Sequence, residues 1–579
     1  MQSAETVLGV LRERGRRDLP CNELFRQLFN PQIYLLAYGR LYSNHGAMTP
    51  GADGETADGM SLAKIGRVIE ALRHERFRFR PARRIYIPKK NGNKRPLGLP
   101  SWSDKLVGEV IRLLLEAYYE PRFSDRSHGF RPRRGCHTAL SEVADQWTGT
   151  TWFIEGDISD CFGSLDHEVL LSTLAEKIHD SRFLRLIRQM LQAGYLEDWI
   201  WNATLSGAPQ GGVVSPILSN IYLDRLDRFI ETVLIPQYTG GVSRASNPAY
   251  DRMRMAAARA RKRGSLAAAR EFRKQQRSMP SKDPQDPGYR RLRYCRYADD
   301  TLLGFAGPKA EAEQIRQRLA QFLRDDLKLE LNPDKTLITH ARTRAASFLG
   351  YEITVQHSAT RPTVNGSVAL RVPREVIKAK CALYLKHGKP ERRTELMNRD
   401  DLTIISTYGE EFRGLVQYYL LAGDVWRLSR LKWVAQTSML KTLAARHRST
   451  VSAMARKHRA KISTPDGLRT CYEASIERAG RKPLVARFGE IPLKRQKKAV
   501  LQDRQPARPV PRKELITRLR MGRCELCEQS APVEVHQIRK LAVLTESGRP
   551  QPPWAQLMAK RRRKTLVVCT YCHQAIHTG

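Results

Sequence analysis

Leu292-Arg-Tyr-Cys-Arg296, Tyr297-Ala298-Asp299-Asp300 and Thr301-Leu-Leu-Gly-Phe305 follow one another without a break, and the reading of this stretch decides the fold. Apolar runs on both sides of two adjacent acids predict a strand–turn–strand hairpin with the carboxylates near its tip. Adjacent carboxylates repel each other and lose hydration when buried, so they need a neutralising cation. Two Mg²⁺ ions in a nucleotidyl transferase supply that charge. An isolated Asp-Asp pair serves equally well as a turn or a helix cap, so the rest of the chain has to supply the weight.

Upstream, Phe153-Ile-Glu-Gly-Asp157-Ile-Ser-Asp-Cys-Phe162 places an acid at the end of an apolar strand. Asp157 there would complete a set of three metal-binding carboxylates. Phe162, five residues on, reads either as core or as a ring set against the sugar of a nucleotide. Gly207-Ala-Pro-Gln210-Gly-Gly-Val-Val-Ser-Pro-Ile-Leu-Ser-Asn220 is a glycine-rich turn opening a helix, small enough for close backbone approach to a template–primer or a nucleotide. In Pro88-Lys-Lys-Asn-Gly-Asn-Lys-Arg-Pro-Leu-Gly-Leu-Pro100, Lys89 is a point charge and Arg95 a fork. By themselves both read as solvated surface charge.

The 579 residues carry 100 Lys and Arg against 59 Asp and Glu, a formal net charge of +41. Such an excess calls for a polyanionic partner, and nucleic acid suits it better than a membrane surface or a ribosomal-type role. A chain of this length holds several domains. Apolar runs are too short for a transmembrane helix, and Met1 to Pro20 has no apolar core of a signal peptide. Helical patterns alternate with short strands from residue 20 to about 360, as in an α+β domain. Strands are predicted over 84–88 and 151–156, and a helix over 104–119. An Arg-rich stretch, Ser243 to Arg293, interrupts this with two basic helices, over 253–263 and 266–277. Residues 403–458 read as helical throughout, and 479–523 as a basic, proline-punctuated linker or nucleic-acid-contacting segment.

Six of the ten cysteines are scattered singly, which suits a reducing compartment. The other four form Cys524-Glu-Leu-Cys527 and Cys569-Thr-Tyr-Cys572. Four thiolates at that spacing suit one tetrahedral structural Zn²⁺, which a module this small needs in order to fold. Between the pairs lies Val533-Glu-Val-His536-Gln-Ile-Arg-Lys-Leu541, and His573 and His577 follow at a spacing that shares one helix face.

Taken together these motifs resemble the reverse transcriptases encoded inside group II introns. Further matches are Gly46-Ala-Met-Thr-Pro-Gly-Ala-Asp-Gly54, Ser127-His-Gly-Phe-Arg-Pro-Arg-Arg-Gly135, Leu331-Asn-Pro-Asp-Lys335 and Phe348-Leu-Gly-Tyr351. The resemblance implies a right-hand polymerase of α+β class, with a helical thumb and a ββα-metal module. It implies an N-terminal extension and start of fingers over 1–85, and fingers and palm over 86–365 with the basic insertion at about 243–293. A helical thumb or maturase X domain over 366–478, a basic DNA-binding region over 479–523 and an HNH-like zinc module over 524–579 follow. Lys89 and Arg95 then hold the triphosphate, Phe162 gates the sugar, Gln210 touches the template strand, and Lys335 serves the leaving pyrophosphate.

In the helical region Tyr408-Gly-Glu-Glu-Phe-Arg-Gly-Leu-Val-Gln-Tyr-Tyr-Leu-Leu-Ala422 resembles the maturase domain, with Lys441, Arg446, His447, Arg448 and Lys457 expected to face RNA or duplex. The C-terminal layout resembles an HNH endonuclease, mapping His536 onto the catalytic histidine and His536, His573 and His577 onto the divalent-metal ligands. One position departs from the pattern: Gln537 stands where that family often has a general-base histidine, and an amide takes no proton near neutral pH. A zinc finger without nuclease activity is the alternative reading. The partners so implied are intron RNA, target DNA, an RNA template with DNA primer, and dNTPs, with Mg²⁺ and Zn²⁺ as cofactors and the bacterial cytoplasm as location. Two other readings of the whole chain are a non-catalytic RNA-binding splicing factor and a reverse transcriptase of another retroelement; retrons and diversity-generating elements lack the paired Cys motifs.

Overall fold

The strands Trp152–Asp157 and Asp300–Ala306 are buried along nearly their whole length because both faces of their sheet are covered. The sheet is antiparallel, in the order Arg291–Tyr297, Asp300–Ala306, Trp152–Asp157, Ile338–His340. Side chains alternate along each strand, so Ile154, Leu303, Phe305 and Tyr294 enter one core while Phe153, Leu302 and Cys295 enter another. The first core is shared with the N-terminal helices, the second with the helices after residue 400. The computed structural model describes all residues except 1, 45, 89–91, 93, 199, 205, 208–211, 284, 285, 359, 465, 466, 479, 480, 502–510, 542, 543, 545–550 and 579.

The expected strand over 84–88 is Ala82–Pro88, a hairpin partner of Lys94–Leu99. The expected central helix is Trp102–Tyr119, buried on nearly every side. The basic stretch forms two helices, Pro248–Lys262 and Leu266–Ser278, that pack on each other. Their only buried residues are Ala257, Ala260 and Ala269, which leaves the arginines facing outward.

Helices Asp401–Tyr418, Ser429–Arg446 and Val451–His458 occupy the region read as helical. The tyrosine hydroxyl of Tyr408 lies 2.8 Å from the Ser438 hydroxyl across the first two of them. Beyond residue 458 the structure departs from the sequence reading. Arg459–Thr464, Gly467–Arg478 and Arg481–Phe488 form a three-stranded antiparallel sheet, so the segment read as linker from residue 479 begins with a strand. Arg and Lys at its exposed positions mask the alternation, while Tyr472, Ala486 and Phe488 turn inward and Phe488 packs on Phe412 at 5.4 Å.

In the C-terminal region Val533–Gln537 pairs with Thr565–Cys569, and the helix Thr570–Thr578 follows. The third strand of this sheet is Met60–Ser61, from the other end of the chain. Val533, Val535 and Val567 join the core that holds the N-terminal helices, whereas Leu566 and Val568 pack with Ala555 and Met558. The module is thus seated on the N-terminal region through apolar contact. Among the described residues no helix is long and apolar enough to cross a membrane.

Candidate active sites

The hairpin turns through two residues, Ala298 and Asp299, with Tyr297 opposite Asp300. Ala298 adopts φ 56°, the sign that tight hairpins favour and that an L residue takes up only under constraint. The constraint is visible around it. Gly129 lies so close that a Cβ there would sit 2.4 Å from the Ala298 nitrogen, so only glycine fits. Arg296, wholly buried, donates from Nη1 to the Ala298 carbonyl (2.9 Å), from Nη2 to Ser127 Oγ (2.8 Å), and from Nε and Nη2 to the two carboxylate oxygens of Asp227 (2.7 and 2.6 Å). A guanidinium held by that carboxylate and committed to that carbonyl fixes the turn.

Across the sheet Asp157 is directly opposite Asp300. Burial raises the pKa of Asp299, the charge of Asp157 adds to it, and Arg95 and Lys335 oppose it. Asp300 is pushed up to about 7 by burial and then by Asp299 and Asp157. Buried acids clustered at neighbouring strand ends are the kind of oxygen donors that hard divalent ions take. The residues therefore fit such an ion. Lys335 reaches Asp157 Oδ2 with Nζ at 2.8 Å, brought there by a turn in which Asn332 N donates to the Asp157 carbonyl.

Phe162 lies half-buried on the short helix Cys161–Ser164, edge-on to Phe130 at 6.1 Å. Gly207, at φ 88°, would drive a Cβ to 2.7 Å from the carbonyl oxygens of Phe162 and Gly163, so this motif glycine lets the loop lie under the Phe162 turn. Arg95 is exposed on its strand, near enough for its charge to act on Asp299. Lys89 and Gln210 lie outside the described residues.

At the C-terminal end the ligand atoms of Cys524, Cys527, Cys569 and Cys572 all lie within 4.8 Å of one another. The amides of Cys527 and Cys572 point at the sulfurs of Cys524 and Cys569, each at 3.5 Å. The amides of Cys527, Cys569 and Leu526 lower the Cys524 thiol against its burial, whereas burial and the neighbouring thiols raise Cys572, so Cys524 is the readier of the two to ionise. Four sulfurs converging in this way fit a tetrahedral zinc site.

The three predicted histidines also converge, together with a residue the sequence did not point to, Asp58. His577 Nε2 is 2.8 Å and His573 Nε2 3.3 Å from Asp58 Oδ2, and His536 Nδ1 is 3.3 Å from Asp58 Oδ1. Although burial alone would raise it, hydrogen bonds from His536 and His573 hold the Asp58 carboxyl far below the usual range. His573 Nδ1 rests on Glu534 at 3.0 Å, so its other nitrogen faces the cluster. The donor set of imidazoles and one carboxylate fits a divalent cation.

Three family models match the chain in turn: reverse transcriptase (RNA-dependent DNA polymerase) over 87–353, type II intron maturase over 369–475, and an AI2M/AI1M-like HNH endonuclease over 524–573. The group II intron-encoded protein LtrA of Lactococcus lactis subsp. cremoris is 36% identical, across 96% of this chain and 95% of its own length. The chain belongs to the group II intron-encoded proteins. A 91 kDa protein of the cob intron in Schizosaccharomyces pombe is 33% identical over 95% of the chain and 69% of its own length. Protein YkfC of Escherichia coli is 34% identical over 58% of the chain and 84% of its own length.

This intron-encoded protein is thus a reverse transcriptase and maturase with an HNH endonuclease domain. Its polymerase and nuclease folds are of kinds that use divalent metals, and its maturase and polymerase nature implies nucleic-acid binding. The basic residues expected to face RNA on its maturase helices are partly engaged within the fold. Arg446, His447 and Lys457 all contact Asp401, at 3.2, 2.7 and 3.2 Å, and Lys441 donates to the Pro390 carbonyl at 2.7 Å. Gln537, the departure from the nuclease pattern, is buried; its amide Nε2 donates to the Tyr42 carbonyl (2.7 Å) and its backbone N–H to Asp58 Oδ1 (2.7 Å). It is committed to holding the N-terminal segment.

Proposed function

We propose that this protein binds its intron RNA to assist splicing, nicks target DNA with the HNH site, and copies the intron into DNA during retrohoming. The observation that carries the polymerase reading is the facing of Asp157 and Asp300 on adjacent strands, with Lys335 on Asp157. Asp157, Asp299 and Asp300 would hold Mg²⁺, which when bound neutralises the carboxylates and the charge developing on phosphate. Lys335, exposed apart from its contact with Asp157, donates a proton or a hydrogen bond to the leaving pyrophosphate. Lys89 and Arg95 hold the incoming dNTP by its phosphates, Phe162 presses on its sugar, and Gln210 meets the template strand.

In the C-terminal module Cys524, Cys527, Cys569 and Cys572 would hold Zn²⁺, a structural ion that closes the fold. His536, His573 and His577 would hold the divalent ion of the nuclease, which when bound offsets charge on the scissile phosphate. Buried Gln537 is not the base of that reaction. The domain limits expected at residues 85, 365, 478 and 523 mark these parts in sequence only, since those at 85 and 478 fall inside the strand Ala82–Pro88 and between the paired strands Gly467–Arg478 and Arg481–Phe488. The bacterial cytoplasm is the setting.

A labelled duplex carrying the insertion site, given to the chain assembled with its intron RNA, tests the whole sequence of steps. One strand is expected to be nicked and, with dNTPs, extended on the RNA. A nick that is never extended would remove the polymerase from the pathway; extension of an added primer without any nick would remove the nuclease.

A further inference from the structure

Asp58 lies outside all three matched regions, yet its carboxylate touches each of the three histidines of the nuclease cluster. Its surroundings show why it is there. Asp58 is two residues before the strand Met60–Ser61, whose register sets Met60 against Val535 and Ser61 against Glu534. The Gly59 amide donates to the Val535 carbonyl at 3.0 Å, and Asp58 Oδ1 accepts from the Gln537 amide at 2.7 Å. The backbone ladder therefore delivers this carboxylate to the end of the strand that carries His536.

The histidines show an unmet need. His536 is only 4% exposed; its Nδ1 lies 3.3 Å from Asp58 Oδ1, and among the described residues its Nε2 makes no hydrogen bond. A buried polar atom left in that state calls for a partner. His573 is braced from behind by Glu534, which leaves Nε2 aimed at Asp58.

We propose that Asp58 is the fourth protein ligand of the nuclease metal, completing a site that the HNH module only partly carries. The inference rests on reading His536, His573 and His577 as divalent-metal ligands. One carboxylate among three neutral imidazoles offsets part of the charge of the ion, and a hard six-coordinate ion accepts four protein ligands with positions to spare. Metal loading of the nuclease is thereby coupled to the seating of the N-terminal segment on the Val533–Gln537 strand. A module displaced from that segment loses one ligand. Gln537 gains a role from this: it holds the loop that brings Asp58 in.

The test uses the full zinc-loaded chain carrying Asp299→Ala and Asp300→Ala, so that the palm acids do not compete. Mn²⁺ is titrated and free Mn²⁺ followed by electron paramagnetic resonance. Adding Asp58→Ala is expected to weaken binding at the remaining site by at least about tenfold. Asp58→Asn, which keeps an acceptor for the Gln537 amide, is expected to weaken it as well, with the Gly59 amide still protected from hydrogen exchange. His577→Ala is expected to weaken it too. Unchanged Mn²⁺ affinity in both Asp58 variants, with a loss in His577→Ala, would overturn the assignment of Asp58 alone. Unchanged affinity in His577→Ala would overturn the histidine site itself. Mn²⁺ loss that appears only together with loss of Gly59 protection would make Asp58 a positioning residue and not a ligand.

Discussion

The palm carboxylates and the C-terminal histidine cluster are both small groups of ionisable side chains at strand ends, but they are assembled over very different distances. Asp157 and Asp300 meet because two neighbouring strands of one sheet run antiparallel in register, and Asp299 follows from the same hairpin. The histidine cluster needs a strand from residues 60–61 to pair with one from 533–537. A site made within one sheet is as stable as that sheet. A site made between the two ends of the chain is as stable as their docking, and it responds to whatever loosens that docking.

The sharpest way to break this comparison is to unfold the C-terminal module alone. Cys524→Ser removes one of four converging sulfurs, and a structural zinc site contributes on the order of 10 kcal/mol to a module of this kind. Metal analysis is expected to show about one zinc lost per chain, and limited proteolysis to open residues 511–578 first. Retained zinc with an unchanged digestion pattern would contradict the assignment. Because Val535 and Val567 share the N-terminal core, exposure of the Met60–Ser61 strand is expected to follow.

A smaller effect probes the self-contained palm. Asp227→Ala leaves the Arg296 guanidinium buried without its carboxylate, which costs about 3–5 kcal/mol when one partner of a buried pair is removed. Equilibrium unfolding of the palm measures this, and Asp227→Asn is expected to lose less. A change below about 1 kcal/mol would mean that Arg296 finds other partners and that the turn at Ala298 is not held as described.

Much of the palm was legible in the sequence because its signals are local. Short apolar runs beside Asp157 and on both sides of Asp299 and Asp300 mark buried strands, and the adjacent acids mark the turn. Arg296 and Asp227 were not paired on that reading, since a basic residue in a strand and an acid in a helix look like surface charge until the fold buries both. The strand Arg481–Phe488 escaped for the opposite reason, its arginines and lysines concealing an inward-facing Phe488. Asp58 carried no local signal at all. It becomes part of a site only through a two-residue strand pairing, and no periodicity reports a strand that short.

The smallest expected effect concerns the N-terminal region on which the module sits. Asp104 accepts from the Arg80 amide at 3.0 Å, and burial pushes its pKa up from 3.8 to about 7. The folded state thus binds this proton more tightly than the unfolded chain. The stability it contributes is complete below pH 3.8, is lost as pH rises toward about 7, and is absent above it. Asp104→Asn keeps the acceptor and removes the charge, so it is expected to stabilise the protein above neutral pH, by less than the roughly 4 kcal/mol that the whole shift represents, and hardly at all near pH 4. Thermal unfolding at the two pH values measures it, and equal shifts at both would contradict the burial of a charged carboxylate.

The most direct measurement is RNA-templated extension of a DNA primer by the purified chain, with Mg²⁺ and dNTPs, alongside the Asp299→Ala variant. Wild type is expected to synthesise DNA, and the variant to lose at least about a thousandfold in rate, because several kcal/mol of charge stabilisation go with the carboxylate. Binding of the RNA template is expected to stay the same in both. Synthesis by Asp299→Ala at the wild-type rate, or none by wild type, would contradict a polymerase site at Asp157, Asp299 and Asp300.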